Sequence, residues 1–475
     1  MIAAERPTSS TPEPPGLGDR LEALAPWFFL AYALPAVFFL SIAMGPFQVP
    51  DERAHAMRAD QISLGGLVPE RIEGWVHRTL VDYARPYEAM WFHPEVKQEV
   101  ELARRMGEIR WSSDLERVNF QNTVQYGPVL YLPMVASFWL ARAVDATVAQ
   151  TLVLARIVNG LAACLAAFVA LRICRRGRAL MFVTLLLPMT LSQFASASQD
   201  ALMIALSLLV IAMASRTLAE RREAGLGESA IFAAVVAATT IARPSQIALA
   251  LLTPIFFARQ DAHRCAKLLV GACAVGVIAG WMILLRWLMP PPASEWDPYG
   301  QFIHVLTHPL ALPMAILNTF ADRGWWLLET LTGRIGWLDT PMPGGFTVVA
   351  SVALASALVT SAKDEGSLRG MGLAALTLLV FISATFGALY ITWNPVGHPI
   401  VDGVQGRYAL PVLPLLAWLT PQVASRPARV LAHAWIPLLA VPLVGLVILP
   451  VVLMLRYYGS WPVMDESLRA LLMPG

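Results

Sequence analysis

PWFFLAYALPAVFFLSIAM, residues Pro26 to Met44, carries no charged side chain and reads as one membrane span. A hydrocarbon core of about 30 Å takes roughly 20 helical residues to cross, and this run is of that length. It is longer than the apolar part of a signal peptide and lacks both a basic leader and a small-residue cleavage site, so a retained first span is expected. Ahead of it, Met1 to about Ala25 is rich in Pro, Ser, Thr and Glu, with little to bury. Residues 1–25 are therefore expected to form a disordered cytoplasmic tail.

Composition extends this reading to the whole chain. Of 475 residues, 57% are hydrophobic and only 14% are charged, so lipid must be part of the solvent. Thirty-five basic against 33 acidic side chains leave a net charge of +2, which provides no basic surplus for nucleic acid. Cys164, Cys174, Cys265 and Cys273 sit singly in or beside apolar segments, without zinc or disulfide spacing, and read as small core residues.

Further apolar runs predict ten more spans: Thr151 to Ile173, Ala179 to Ala197, Ala201 to Ser215, Ser229 to Ala242, Ser245 to Ala258, Lys267 to Met289, Gly345 to Thr360, Gly370 to Ile391, Tyr408 to Val423 and Ala434 to Leu455. The expected fold is an all-α integral membrane bundle of about eleven transmembrane helices over residues 26–455. Short basic loops at Arg172–Arg178, Arg216–Arg222, Arg259–Lys267 and Arg426–Arg429, with a weaker one at Lys363–Arg369, set the cytoplasmic side. The amino terminus is then inside. A long first loop (about 45–150), a second large loop (about 290–344) and a carboxyl-terminal tail (456–475) are extracytoplasmic. Tyr126 to Val144 is apolar but holds Pro128 and Pro133, and counting it as a span would throw the basic loops outside. It reads as an in-plane or partly embedded helix of the first loop. Arg243 and Pro244 mark a hairpin between two spans, since proline disfavours helix at the residue before it.

With that topology the polar groups at the membrane boundary gather on one face: Asp51, Glu52 and His55 after the first span, Asp200 after the third, Arg243 after the fifth, and Asp402, Gln405, Arg407 and Tyr408 after the ninth. Ionisable groups there are costly unless paired or wetted, so such a cluster marks a functional cavity. Interfacial snorkelling explains single members but not their convergence.

The stretch PFQVPDERAH, Pro46 to His55, resembles the opening of a bacterial membrane family catalogued as a domain of unknown function. Ser198-Gln-Asp200, Ala242-Arg-Pro-Ser245 and Gln405-Gly-Arg-Tyr-Ala-Leu-Pro411 match its other marks, and the likeness runs from about Pro26 to Tyr458. That family resembles the GT-C superfamily of glycosyltransferases, which use polyprenyl-phosphate sugars and carry an acidic residue in the first outer loop. The resemblance implies a GT-C-like bundle in a bacterial plasma membrane. It also implies a polyprenyl-phosphate-linked sugar donor and a glycan, lipid or protein acceptor, with membrane lipids as the surroundings.

Sugar transfer needs a carboxylate to take the acceptor's hydroxyl proton; Asp51 is the first candidate, with Glu52 beside it either structural or a ligand. A guanidinium can hold the leaving phosphate bidentately, which points to Arg407 first and Arg243 second. His55, Arg58, Gln405 and Tyr408 are expected to line the substrate. Asp200 either binds sugar hydroxyls, orients an arginine or caps a helix. Glu52 and His55, three residues apart, would share a helix face and can serve a divalent cation such as Mg or Mn, although an ion pair or an Arg58 partner explains the spacing equally well. Trp75, Trp91, Trp111, Tyr126, Tyr131, Trp296, Trp325, Trp326 and Trp337 can stack on sugars or form interfacial belts. No nucleotide-phosphate loop is present, which favours a lipid-linked donor. The rival reading, a transporter or lipid flippase, would show internal repeats and binding groups at mid-membrane, and neither is evident.

Overall fold

The computed structural model describes residues 16–69, 71–257, 263–289, 296–361, 367–421 and 428–473. Most of the expected tail, the first parts of the basic loops at 259–267 and 363–369, residues 290–295, and residues 422–427 with the end of the expected span 408–423 lie outside the described residues.

Helix α1 spans Leu17–Ala43 and so starts well before the apolar run. The part of the expected tail from Leu17 to Ala25 is helical, which corrects that boundary. Helix α2, Glu52–Ser63, follows a tight turn. The first loop then builds an antiparallel ribbon, β1 (Glu73–His77) against β2 (Leu115–Asn119), with α3 (Val100–Gly107) between them. Helix α4, Leu132–Ala143, has 12 residues; at about 1.5 Å each it is some 18 Å long, short of a crossing.

Helix α5, Val148–Ile173, starts at a capping box: Gln150 N donates to Thr147 Oγ1 (3.3 Å) and Thr147 N to Gln150 Oε1 (3.0 Å). The third predicted span breaks before Pro188 into α6 (Arg178–Leu186) and α7 (Pro188–Phe194), because proline cannot continue the hydrogen-bond ladder. Then come α8 (Asp200–Ala219) and α9 (Leu226–Ala242), and a 3₁₀ run over Pro244–Leu252. Helix α10 is Arg264–Leu288. Residues expected as loop instead form α11 (Pro298–Thr307) and α12 (Ala311–Thr332), bent by 104°, so the second expected loop is largely helical. A short hairpin follows, β3 (Arg334–Ile335) with β4 (Thr340–Pro341). The last helices are α13 (Gly344–Ser361), α14 (Leu368–Trp393), α15 (Ala428–Leu453) and α16 (Trp461–Leu472).

Among the described residues seven helices are long and apolar enough to cross a membrane, or eight if the bent pair counts as one span. They coincide with seven of the eleven predicted spans. The described residues of the other four, 179–197, 229–242, 245–257 and 408–421, form short or broken elements, and 408–421 holds two 3₁₀ turns and one turn of α-helix. Helix α8 is central, with 78% of its apolar window buried, whereas none of α10's is, so α10 presents its apolar surface outward. The carboxyl-terminal segment is no loose tail. Gln98 N donates to Tyr457 O (2.7 Å) and Gln150 Nε2 to Leu472 O (2.9 Å), which fasten it to the first loop. Two basic loops meet at the opposite end, where Arg175 pairs with Glu220 at 3.0 Å.

Candidate functional site

Two turns shape the segment after α1: Gln48 N donates to Gly45 O (3.2 Å) and Glu52 N to Val49 O (3.1 Å). Asp51 closes it in the left-handed region, at φ 63°, which aspartate tolerates better than most residues. Its carboxylate does not cap α2. It lies 3.4 Å from Arg407 Nη2 instead, and 35% of the side chain is exposed, against 3% for Arg407 and 5% for Asp200.

Asp200, first residue of α8, joins the two arginines. Arg243 Nη2 reaches its carboxylate oxygens at 3.1 and 3.3 Å, and Arg407 Nη1 reaches Oδ2 at 3.4 Å. Of the three roles open to it in the sequence, orienting arginines is the one this geometry displays. Gln405 Oε1 accepts from Arg407 Nε at 2.5 Å, and Gln193 Oε1 from Nη1 at 3.4 Å. The Tyr408 ring lies 5.1 Å from the Arg243 guanidinium carbon and 5.4 Å from that of Arg407. Thus Asp51, Asp200, Arg243, Gln405, Arg407 and Tyr408 come together. The Arg407 contacts to both carboxylates stand at the long end of hydrogen-bond range. The side-chain hydrogen bonds of Arg243 among the described residues use Nη2 alone.

The frame around this cluster is wired by side chains that bond to backbone. Asn159 Nδ2 holds Ser196 O (3.0 Å) and Ser198 O (2.8 Å) just before Asp200, and Gln199 Nε2 holds Ala242 O (3.1 Å) just before Arg243. Gly160 lets α5 come close: a Cβ there would lie 2.7 Å from Phe194 O. Gly406 seats the Arg407 segment on α12, where a Cβ would lie 1.9 Å from Leu327 O.

His55 donates or accepts at 2.7 Å with the Tyr131 hydroxyl, and its ring stacks 6.0 Å from that of Tyr126. Burial pushes the imidazole below its ordinary value, outweighing the Asp200 and Asp51 carboxylates, so the ring stands neutral.

Three expectations need correction. Glu52 is fully buried and turned away from Asp51: its two oxygens accept from Arg156 Nε and Nη2 at 2.7 Å each, and Oε1 also accepts Ala197 N at 2.8 Å. Arg156 spends its remaining donors on the carbonyls of Ser41 (3.2 Å), Met44 (2.8 Å) and Gly45 (3.0 Å) at the end of α1. Glu52 is therefore a structural carboxylate. Arg58 is buried and donates to Gln61 Oε1 and to the carbonyls of Gly66, Leu67 and Tyr126, so it pins the first loop and keeps no donor for a substrate. The Glu52–His55 pair does not form, and among the described residues no group of three His, Cys, Asp or Glu side chains could hold a metal ion. Asp402 lies apart from the cluster, bonded to Arg323 at 2.6 Å.

Sequence reading missed Arg156, whose signal was a lone arginine inside an apolar run, and Gln193. It also missed a buried network in which Asp60 accepts from His77 Nδ1 (2.9 Å) and Arg142 Nη1 (3.0 Å) and so ties α2 to β1 and α4.

No curated protein matches the chain. It is similar to the crystal structure of ArnT from Cupriavidus metallidurans bound to undecaprenyl phosphate, at a TM-score of 0.40 and 13% identity, over 94% of this chain and 75% of that one. The profile of one membrane family matches residues 34–416. The chain therefore belongs to the family described as Predicted membrane protein (DUF2142).

Proposed function

We propose that this protein is a GT-C-type glycosyltransferase that moves a sugar from a polyprenyl-phosphate donor to a glycan, lipid or protein acceptor at the extracytoplasmic face of a bacterial plasma membrane. One observation carries the reading: a partly exposed carboxylate, Asp51, stands beside Arg407, and a second guanidinium, Arg243, shares Asp200 with it while bonding through Nη2. The acceptor oxygen bonds to the anomeric carbon while the bond from that carbon to the donor's phosphate oxygen breaks, and the leaving polyprenyl phosphate keeps the electron pair. Asp51 takes the acceptor's proton. Two aspartates and two arginines sum to zero charge, so protonating Asp51 leaves one net positive charge facing the phosphate just as it gains a negative one. Asp200 orients the guanidiniums, Gln405 and Tyr408 steady Arg407, and neutral His55 lines the wall.

The test is transfer by purified protein in lipid nanodiscs. Label should move from a polyprenyl-phosphate sugar and not from a nucleotide sugar alone. Transfer from the nucleotide sugar would overturn the lipid donor, and movement of the intact lipid across the bilayer without cleavage would count against the enzyme and for the rival transporter.

Orientation has its own check. In a variant with the native cysteines replaced, Glu95→Cys in the first loop should react with an impermeant maleimide in intact cells, and Arg221→Cys only after permeabilisation. The reverse pattern would turn the site to the cytoplasm, where nucleotide sugars are available.

A further inference from the structure

The described residues contain seven non-glycine positions with positive φ, and four of them belong to one patch: Phe47 (58°), Asp51 (63°), Phe92 (60°) and Leu338 (61°). A bulky side chain held in this region costs free energy, and such residues concentrate at ligand clamps and active sites. Three aromatic rings meet in the patch. Trp91 and Trp337 lie 4.5 Å apart between centroids at 40°, and Phe92 meets Trp337 edge-on at 5.5 Å. Both indole N–H groups donate to a single acceptor, Phe47 O, at 3.1 and 3.0 Å. Interfacial belt residues keep that donor for the headgroups, whereas here both are turned inward.

The patch is fastened to the catalytic segment. Phe47 precedes Asp51 by four residues, no more than about 14 Å of fully extended chain, and the two turns there shorten the path. Arg53, just past Asp51, pairs with Glu88 at 2.9 Å, and Glu88 O accepts Trp91 N at 3.0 Å. The two side chains of that pair are partly exposed, 24% and 35%. Phe92 itself is 64% exposed. Of the other aromatics singled out in the sequence, three are committed elsewhere: Trp111 donates to Thr151 and lies under Arg142, Tyr131 bonds His55, and Trp325 donates to Glu329.

The geometry points to a sugar-binding subsite, in which Trp337 and Phe92, backed by Trp91, stack on the apolar C–H face of a pyranose beside Asp51 while the Arg53–Glu88 pair meets its hydroxyls. This rests on the glycosyltransferase reading and adds to it the place where a sugar ring is held. The ring belongs either to the donor or to the acceptor, and the two sources are separable.

Full-length protein in nanodiscs is titrated calorimetrically with bare undecaprenyl phosphate, with undecaprenyl-phosphate glucose and mannose, and with soluble maltose and mannobiose. Phe92→Ala, at a position 64% exposed, and Trp337→Ala are compared with the parent. Each variant should lose about tenfold in affinity for sugar-bearing probes, with binding of bare undecaprenyl phosphate unchanged. Loss confined to the lipid-linked sugars assigns the subsite to the donor; loss confined to the disaccharides assigns it to the acceptor. Phe92→Ala binding every sugar probe as tightly as the parent overturns the proposal, as does an equal loss toward the bare lipid, or a parent that binds no sugar probe. A parent that binds sugars but not bare undecaprenyl phosphate counts against the lipid-donor reading alone.

Discussion

Asp51→Asn should lower turnover by roughly 10² to 10⁴ while leaving donor affinity and yield of folded protein near those of the parent. The amide keeps the shape but cannot take the proton. This carboxylate caps no helix and is partly exposed, so the fold should tolerate its loss. Arg407 fails differently: Arg407→Ala should weaken donor binding, and Arg407→Lys should recover only part of it, since an ammonium keeps the charge but loses the planar fork. The measurements are single-turnover transfer and equilibrium binding of undecaprenyl phosphate. Near-normal transfer by Asp51→Asn would remove it as the base, and unchanged binding by both arginine variants would remove the clamp.

Glu52→Gln should cost about 3 to 5 kcal/mol of stability, because it leaves the Arg156 guanidinium buried without its counter-charge. An apolar double substitution, Glu52→Leu with Arg156→Met, removes both charges and should recover part of that loss. It cannot recover all of it, since the carbonyls of Ser41, Met44 and Gly45 would lose their donor. Thermal unfolding in detergent reads both. A Glu52→Gln variant that melts with the parent would show the pair to be dispensable, and this adjacent-carboxylate contrast with Asp51 would collapse.

The two neighbours show where sequence reading stops. Asp51 and Glu52 are equivalent as letters: both acidic, both after the first span. Backbone geometry separates them, since the left-handed turn at Asp51 aims one carboxylate at Arg407 and the helix start aims the next into Arg156, which stands 104 positions further on. Likewise Arg58 looked available one helical turn from the motif, yet the carbonyls that saturate it come from residues 66, 67 and 126.

By itself the sequence determined the solvent, the seven long apolar helices and the convergence of Asp51, Asp200, Arg243 and Arg407. Apolar length and the placement of charge are local properties that lipid enforces residue by residue. Only the tertiary structure decided which charges are spent on each other and which face outward. It also decided that Pro188 breaks a span, that residues 298–332 are helical rather than loop, and that Trp91 and Trp337 share one carbonyl. Those outcomes depend on pairings between segments far apart in the chain, and the need to satisfy every buried donor and acceptor selects among them only once the helices have packed.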